Sequence, residues 1–243
     1  MSKETISEVY LEDCMTGMKR YPDKHFDLAI VDPPYGIGDF NQSASRKMHK
    51  KIDWNNSIPE QEYFNELKRV SKNRIIWGIN YYAKYISEDV GRLIHDKVAN
   101  TGKQLHELSD ADLASHSFGV NIKMFRYGWR GNVQGNTINW KNEGINRRIH
   151  PCQKPVELYE WCLKNYAKPN DKILDTHLGS GSSRIAAYKN GFDFTGFEDD
   201  KEYYEAQEKR FNDFKSQMRL FYPTPSFATG GFVNGVDNKE IIL

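Results

Sequence analysis

The stretch from residue 172 to residue 198 constrains the fold more than any other part of this chain. Residues 172–175 are a short apolar run closing on Asp175, and residues 176–181 make a turn that holds Gly179 and Gly181. Residues 182–190 have helical spacing and stop at Gly191, after which residues 192–198 run through aromatic positions and Thr195 to Glu198. Strand, crossover helix and strand make a βαβ unit, whose two strands run parallel. Such a unit covers its sheet with helices, so the chain is read as α/β.

A second apolar run, Phe26 to Val31, ends at Asp32-Pro33-Pro34-Tyr35. Proline has no N–H with which to continue a ladder, so the run is a buried strand that stops there. In open α/β sheets the carboxyl ends of the strands are where ligands bind. A carboxylate, a rigid carbonyl and an aromatic ring grouped at that edge suit a flat base turned out of its stack, and Gly36 and Gly38 leave the backbone free to bend around it. The bland alternative is a strand followed by a Pro-Pro turn with a capping Asp.

Elsewhere, residues 7–11 read as a short edge strand leading to a helical turn over 14–20. Pro59 opens an amphipathic helix with Tyr63, Phe64, Leu67 and Val70 on one face, ended by residues 71–73. Residues 74–79 read as a buried strand, with Asn80-Tyr81-Tyr82 at the same ligand edge. Leu93-Ile94 begins a weaker strand, residues 110–114 a helical piece and residues 122–127 another strand; residues 131–148 are irregular. In His150-Pro151-Cys152-Gln153-Lys154-Pro155 the second proline suits the first turn of a helix, whose core positions are Val156, Tyr159, Cys162, Leu163 and Tyr166. A helix follows over 201–214, and residues beyond 220 form either a last strand pair or a tail.

The chain has 243 residues, enough for a full core without disulfides or metals, and is read as one domain, 1–220, with a small insertion at about 121–150 and a tail or edge segment at 221–243. Cys14, Cys152 and Cys162 form no CxxC pair and have no His at zinc spacing, so no metal site is expected. No run approaches the roughly 18 apolar residues of a membrane span, and the N-terminus has no signal-peptide core, which points to a cytoplasmic protein.

Net charge is only +1, but residues 121–150 carry six basic residues against the single acid Glu143, a local charge of +5. Aromatics and glycines are mixed among them, a composition that can contact phosphates and stack on bases. Lys123, Arg126, Arg130, Arg147 and Arg148 are the candidates here, and Arg46 and Lys47 lead a second basic cluster after the Pro-Pro turn. The alternative is a solvated surface loop.

In Asp175-Thr176-His177-Leu178-Gly179-Ser180-Gly181-Ser182, the glycines let the backbone pass close to a ligand, and the following helix presents unpaired N–H groups. Glu198, ending the next strand, can accept hydrogen bonds from both hydroxyls of a ribose. Together they describe a nucleoside site. A dinucleotide fingerprint wants a small residue where Arg184 stands, which disfavours a nicotinamide oxidoreductase.

Asp32-Pro33-Pro34-Tyr35, then His150-Pro151-x-Gln153-Lys154-Pro155, then Asp175-x-x-x-Gly179-Ser180-Gly181-Ser182 resemble, in this order, the amino-methylating DNA methyltransferases of the permuted beta group. The resemblance runs from about residue 11 to about residue 211. It implies a doubly wound, mostly parallel seven-stranded methyltransferase sheet of Rossmann-like type, with helices on both faces. It also implies S-adenosylmethionine as cofactor, DNA as partner, and transfer of a methyl group to adenine N6. Asp32, Pro33, Pro34 and Tyr35 would then hold the target base, and Asp175, Gly179, Ser180, Gly181, Ser182 and Glu198, with Lys154, would contact the cofactor. The family often carries a large apolar residue where His177 and Leu178 stand, so the turn departs from its pattern. Cytosine N4, adenine in RNA and a catalytically silent binding protein stay open as alternatives, as do a restriction partner and a homodimer.

Overall fold

The computed structural model describes residues 5–38, 54–99, 109–130, 133–135, 137–138, 141 and 144–221. In chain order its elements are β1 (Ser7–Leu11), α1 (Cys14–Met18), β2 (Phe26–Val31), α2 (Gln61–Val70), β3 (Ser71–Trp77), α3 (Ile79–Tyr82), β4 (Gly91–Asp96), β5 (Ala111–His116) and β6 (Ile122–Arg126). There follow β7 (Trp129–Arg130), β8 (Val133–Gln134), β9 (Thr137–Ile138), α4 (Val156–Tyr166), β10 (Lys172–Asp175), α5 (Ser182–Lys189), β11 (Asp193–Glu198) and α6 (Lys201–Phe221).

Eight strands form the main sheet in the order β1-β11-β10-β2-β3-β5-β4-β6, one more than the resemblance implies. Every pairing is parallel except the two made by β5, which runs antiparallel between β3 and β4. Side chains alternate across the sheet, so Leu28, Ile30, Ile75, Trp77 and Ile173 face α4, α5 and α6, while Ala29, Val31, Ile76 and Leu174 face α1, α2 and α3. Both faces are therefore dry and helix-covered, the doubly wound arrangement. Fully buried Phe194, Phe197 and Trp77 fill the space between layers, each stabilising the fold by about 2–3 kcal/mol.

Five local expectations are corrected. Residues 110–114 are not helical: Ala111 to His116 pair with β4, and Ala114 to His116 pair with β3 as well, and these ladders outweigh the weak preference of Ala-Asp-Leu-Ala for helix. No connector separates α2 from β3, because Ser71 both caps the helix, its hydroxyl donating to the Leu67 carbonyl at 2.6 Å, and starts the strand. That strand ends at Trp77, and Ile79 opens the short α3 after Gly78 turns the chain in a left-handed conformation, φ +87°. Finally, the segment read as an insertion from about 121 begins inside the main sheet, since β6 is its outer strand, and continues as the small antiparallel sheet β7-β8-β9. The helix expected over 201–214 extends to Phe221, and residues 222–243 lie outside the described residues.

Candidate active site

The chain leaves β10 toward β11 and β1 on one side, and leaves β2 toward β3 on the other, while β10 and β2 are hydrogen-bonded neighbours. At such a switch point the loops after the two strands part and open a crevice. The Asp32 turn follows β2 and the Gly179 turn follows β10, so segments nearly 150 residues apart in sequence meet across one strand spacing of about 4.8 Å. Between them lies a cavity of about 240 Å³ whose wall includes Asp32, Pro33, Tyr35, Lys154, Gly179 and Glu198.

On the Asp32 side every acceptor has a partner. The Tyr35 hydroxyl donates to Asp32 Oδ1 at 2.5 Å, and Lys154 Nζ donates to Asp32 Oδ2 at 2.8 Å and to the Tyr35 hydroxyl oxygen at 3.1 Å. The buried Tyr82 hydroxyl reaches both the Pro33 carbonyl, at 2.5 Å, and the Pro34 carbonyl, at 2.7 Å. Asn55 accepts from the Tyr35 amide at 2.8 Å and donates to the Gly38 carbonyl at 2.9 Å, which fixes the turn. The Tyr35 ring is stacked on Tyr81, with centroids 4.7 Å apart and planes 16° from parallel, so that ring face is covered. Burial and the adjacent Asp32 carboxylate raise the Tyr35 hydroxyl well above its usual range and keep it a donor. Tyr82 and Asn55 were not singled out from sequence; Tyr82 stood in the Asn80-Tyr81-Tyr82 group at the correct edge, whereas nothing local marks Asn55.

Lys154 is buried, and it is held in place by the stretch that sequence suggested for nucleic-acid contact. The indole N–H of Trp129 donates to the Gln153 carbonyl at 2.6 Å, and the Gln153 side chain donates to the Arg147 carbonyl at 2.9 Å and accepts from the Ile149 amide at 3.0 Å. The Arg148 guanidinium lies 4.1 Å from the centre of the Trp129 ring, and burial lowers its pKa to about 10. Arg130 is 8% exposed and ion-paired with Asp110 at 2.5 Å. Arg130 and Arg148 therefore face inward and brace the 150–155 turn. Lys123 and Arg126 are exposed but on opposite faces of β6, with Lys123 Nζ 5.3 Å from the centre of the Tyr166 ring. Arg147 is exposed, and Arg46 and Lys47 lie outside the described residues. The basic candidates are thus not gathered on one surface, because strand alternation and cation–π packing separate them.

On the other side, Glu198 accepts from the Gly179 amide at 2.7 Å and from the Asp200 amide at 3.1 Å. Burial nevertheless pushes its carboxyl up to about 7, the two amides and nearby acids modulating the shift. Gly179 and Ser180, ahead of α5, and Ser182, its first residue, line the cavity with it. Asp175 and Gly181 do not. The Asp175 carboxylate takes the Ser183 hydroxyl at 2.5 Å and the His177 amide at 3.1 Å, so it braces the turn from behind, and burial raises it to about 7. His177 is a hydrogen-bonded turn residue, its Nδ1 2.9 Å from the Thr176 hydroxyl, and burial lowers its pKa to about 4, which keeps the ring neutral. The ring of His150 packs edge-on against Tyr203 with centroids 4.3 Å apart at the cavity wall, and Glu12 and Asp13 approach from the end of β1. Neither pair was foreseen, because each is brought in by the sheet order and by α6.

Among the described residues no group of three His, Cys, Asp or Glu side chains could hold a metal ion, and no helix is long and apolar enough to cross a membrane. The three thiols are free.

Comparison with known proteins agrees with this geometry. Residues 123–209 match the DNA methylase family of N6/N4 amino-methyltransferases. Type II methyltransferase M.HinfI of Haemophilus influenzae is 25% identical over 88% of this chain and 72% of its own length. Among solved structures, PvuII DNA methyltransferase, described as cytosine-N4-specific, superposes with a TM-score of 0.57 at 15% identity, over 85% of this chain and 87% of that one. The complex of M1.HpyAVI with SAM superposes with a TM-score of 0.52 at 20% identity, over 84% and 98%. The match over residues 123–209, the doubly wound fold and the meeting of the three motifs at one switch point make the chain similar to the amino-DNA methyltransferases.

Proposed function

We propose that this protein transfers the methyl group of S-adenosylmethionine to the N6 amino group of an adenine turned out of DNA. The observation that carries the reading is the single cavity shared by the Asp32 turn and the Gly179 turn. In this reading the chain is one catalytic domain. Glu198, with its carboxylate at the cavity, fits a ribose bearing two hydroxyl donors, and Gly179, at φ +53° with no side chain, leaves room for the cofactor beside the His150 ring. Ser180, Ser182 and Lys154 complete that wall, with Asp175 and Gly181 shaping the turn from outside it.

When bound, the cofactor supplies an electrophilic methyl group on a sulfonium sulfur, which becomes a neutral thioether as the methyl leaves. The chain's residues act on the nucleophile. An exocyclic amino nitrogen is weak because its lone pair is delocalised into the ring. If Asp32 Oδ1 and the Pro33 carbonyl each accept one of its N–H bonds, the nitrogen is drawn toward tetrahedral geometry and its lone pair is freed. The amino group replaces the Tyr35 hydroxyl on Oδ1, and it shares the Pro33 carbonyl with Tyr82, since a carbonyl oxygen has two lone pairs. The Asp32 carboxylate then stabilises the positive charge that grows on nitrogen, a preorganised electrostatic contribution of the kind that commonly dominates catalysis. Once the N–C bond has formed, the cationic nitrogen is acidic and passes its proton to water, so no strong base is required. Extrusion of the base costs a few kcal/mol; exposed Arg147 is assigned to the DNA backbone with Arg46 and Lys47, and of Lys123 and Arg126, which point to opposite faces of β6, one at most joins them.

The Asp-Pro-Pro-Tyr form favours adenine by resemblance. The test is incubation with DNA and methyl-labelled cofactor, followed by digestion to nucleosides. Label in N6-methyl-2'-deoxyadenosine supports the reading, label in N4-methyl-2'-deoxycytidine moves the target, and unlabelled DNA refutes the activity.

A further inference from the structure

Behind the Asp32 turn lies a second carboxylate that neither the motifs nor the proposed reaction uses. Asp112 is at the start of β5, the antiparallel strand, and its side chain is largely buried. It is ion-paired with Lys97 at 2.8 Å through Oδ1, and its Oδ2 stands 3.7 Å from His95 Nδ1 and 3.8 Å from Lys154 Nζ. Lys154 therefore sits between two carboxylates, in contact with Asp32 at 2.8 Å and short of Asp112 by about one ångström. An ammonium has three N–H donors. One is given to Asp32, one to the Tyr35 hydroxyl oxygen, and the third has Asp112 as its nearest acidic acceptor.

This arrangement bears on how Asp32 becomes available. A lysine side chain only 6% exposed cannot release its carboxylate partner into solvent, and stripping the partner from a buried charge is costly. If Asp32 were the sole counter-ion of Lys154, drawing its charge toward a target amino group would leave the ammonium under-compensated. Asp112 removes that penalty, because a small shift of Nζ trades one carboxylate for the other. Burial opposes ionisation of Asp112, yet Lys154 together with His95 and Lys97 holds its carboxyl well below the usual range, so an anion is always there to receive the cation.

We propose that Asp112 is a positioning residue for methyl transfer: it is the acceptor onto which Lys154 shifts when Asp32 engages the target amino group. The inference rests on the methyltransferase reading above and concerns how its key carboxylate is released. Asp112 touches neither substrate nor cofactor in this scheme, and acts through Lys154.

The test is a double-mutant cycle in the full chain with Asp112→Asn and Lys154→Gln, reading single-turnover methylation, cofactor affinity and thermal stability. Asp112→Asn is expected to lower the transfer rate roughly tenfold to a hundredfold, leave the cofactor Kd unchanged and be partly rescued by Asp112→Glu. In the Lys154→Gln background the same substitution should have little further effect, since no cation remains to be moved. If Asp112→Asn does not fold because Lys97 is orphaned, the pair Lys97→Met/Asp112→Asn carries the same comparison. A transfer rate in Asp112→Asn equal to wild type, or effects of the two substitutions that simply multiply, overturns the proposal. Absence of methylation by the wild-type protein refutes the underlying reading instead.

Discussion

Replacing Glu198 by Gln tests the cofactor side through its pH dependence. The ordinary pKa of 4.5 is raised to about 7 in the folded protein. Between those values the folded protein keeps a proton that the unfolded chain has released, so stability falls as pH rises through the window and is level above it. At about 1.4 kcal/mol per pH unit the loss amounts to about 3 kcal/mol. Cofactor binding has the opposite sign. Two ribose hydroxyls donate to an ionised carboxylate, so affinity should strengthen about tenfold per unit as pH rises toward 7, then level off. Gln cannot titrate, and with one acceptor oxygen it cannot serve both the Gly179 and Asp200 amides and a ribose. Glu198→Gln should therefore weaken binding roughly tenfold to a hundredfold at pH 8 and flatten the slope below 7. Calorimetric titration of both proteins with S-adenosylmethionine from pH 5.5 to pH 8.5 (about one-unit steps), beside denaturant unfolding, measures both effects. The difference between the proteins cancels titration of the cofactor and of Asp175. Parallel plots of log Kd against pH for the two proteins would refute the assignment.

Asp32→Asn should lower methyl transfer roughly 10²- to 10³-fold with cofactor affinity retained; an active variant would remove the carboxylate from the mechanism. Gly78→Ala places a methyl group 2.4 Å from Tyr35 Cε1 at a residue with φ +87°. It should cost about 1–2 kcal/mol in backbone strain alone, and slow transfer by displacing Tyr35 and Tyr82 while calorimetry shows unchanged cofactor binding. Arg147→Ala should reduce DNA affinity and lower the salt dependence of binding by about one ion, whereas Arg148→Ala, which empties the face of Trp129, should lower Tm; the reverse pattern would show that Arg148 is the DNA contact.

Much of the fold was legible because its signals are local. The apolar runs of β2 and β10, the proline stop at Pro33, the helical spacing of α4 and the glycine stop at Gly191 are written within a few residues each, and the elements formed where those signals lie. The motifs were legible for the same reason. Residues 110–114 were misread because a strand held between two antiparallel neighbours is stabilised by ladders that its own sequence does not contain. The basic stretch of 121–150 was misread in part because composition records charge and not direction: Arg130 and Arg148 turn inward to brace the turn that carries Lys154.

The sequence by itself determined that a strand would end in Asp-Pro-Pro-Tyr and that another would open into a glycine turn before a helix. Only the tertiary structure decided that β2 and β10 are neighbours, which turns two distant loops into the walls of one cavity. It alone decided that Lys154 stands between Asp32 and Asp112, residues from three separate segments of the chain. The physical reason is that hydrogen-bonded strand order and the burial of charge are set by contacts between segments far apart in the chain, and those contacts have no local signature.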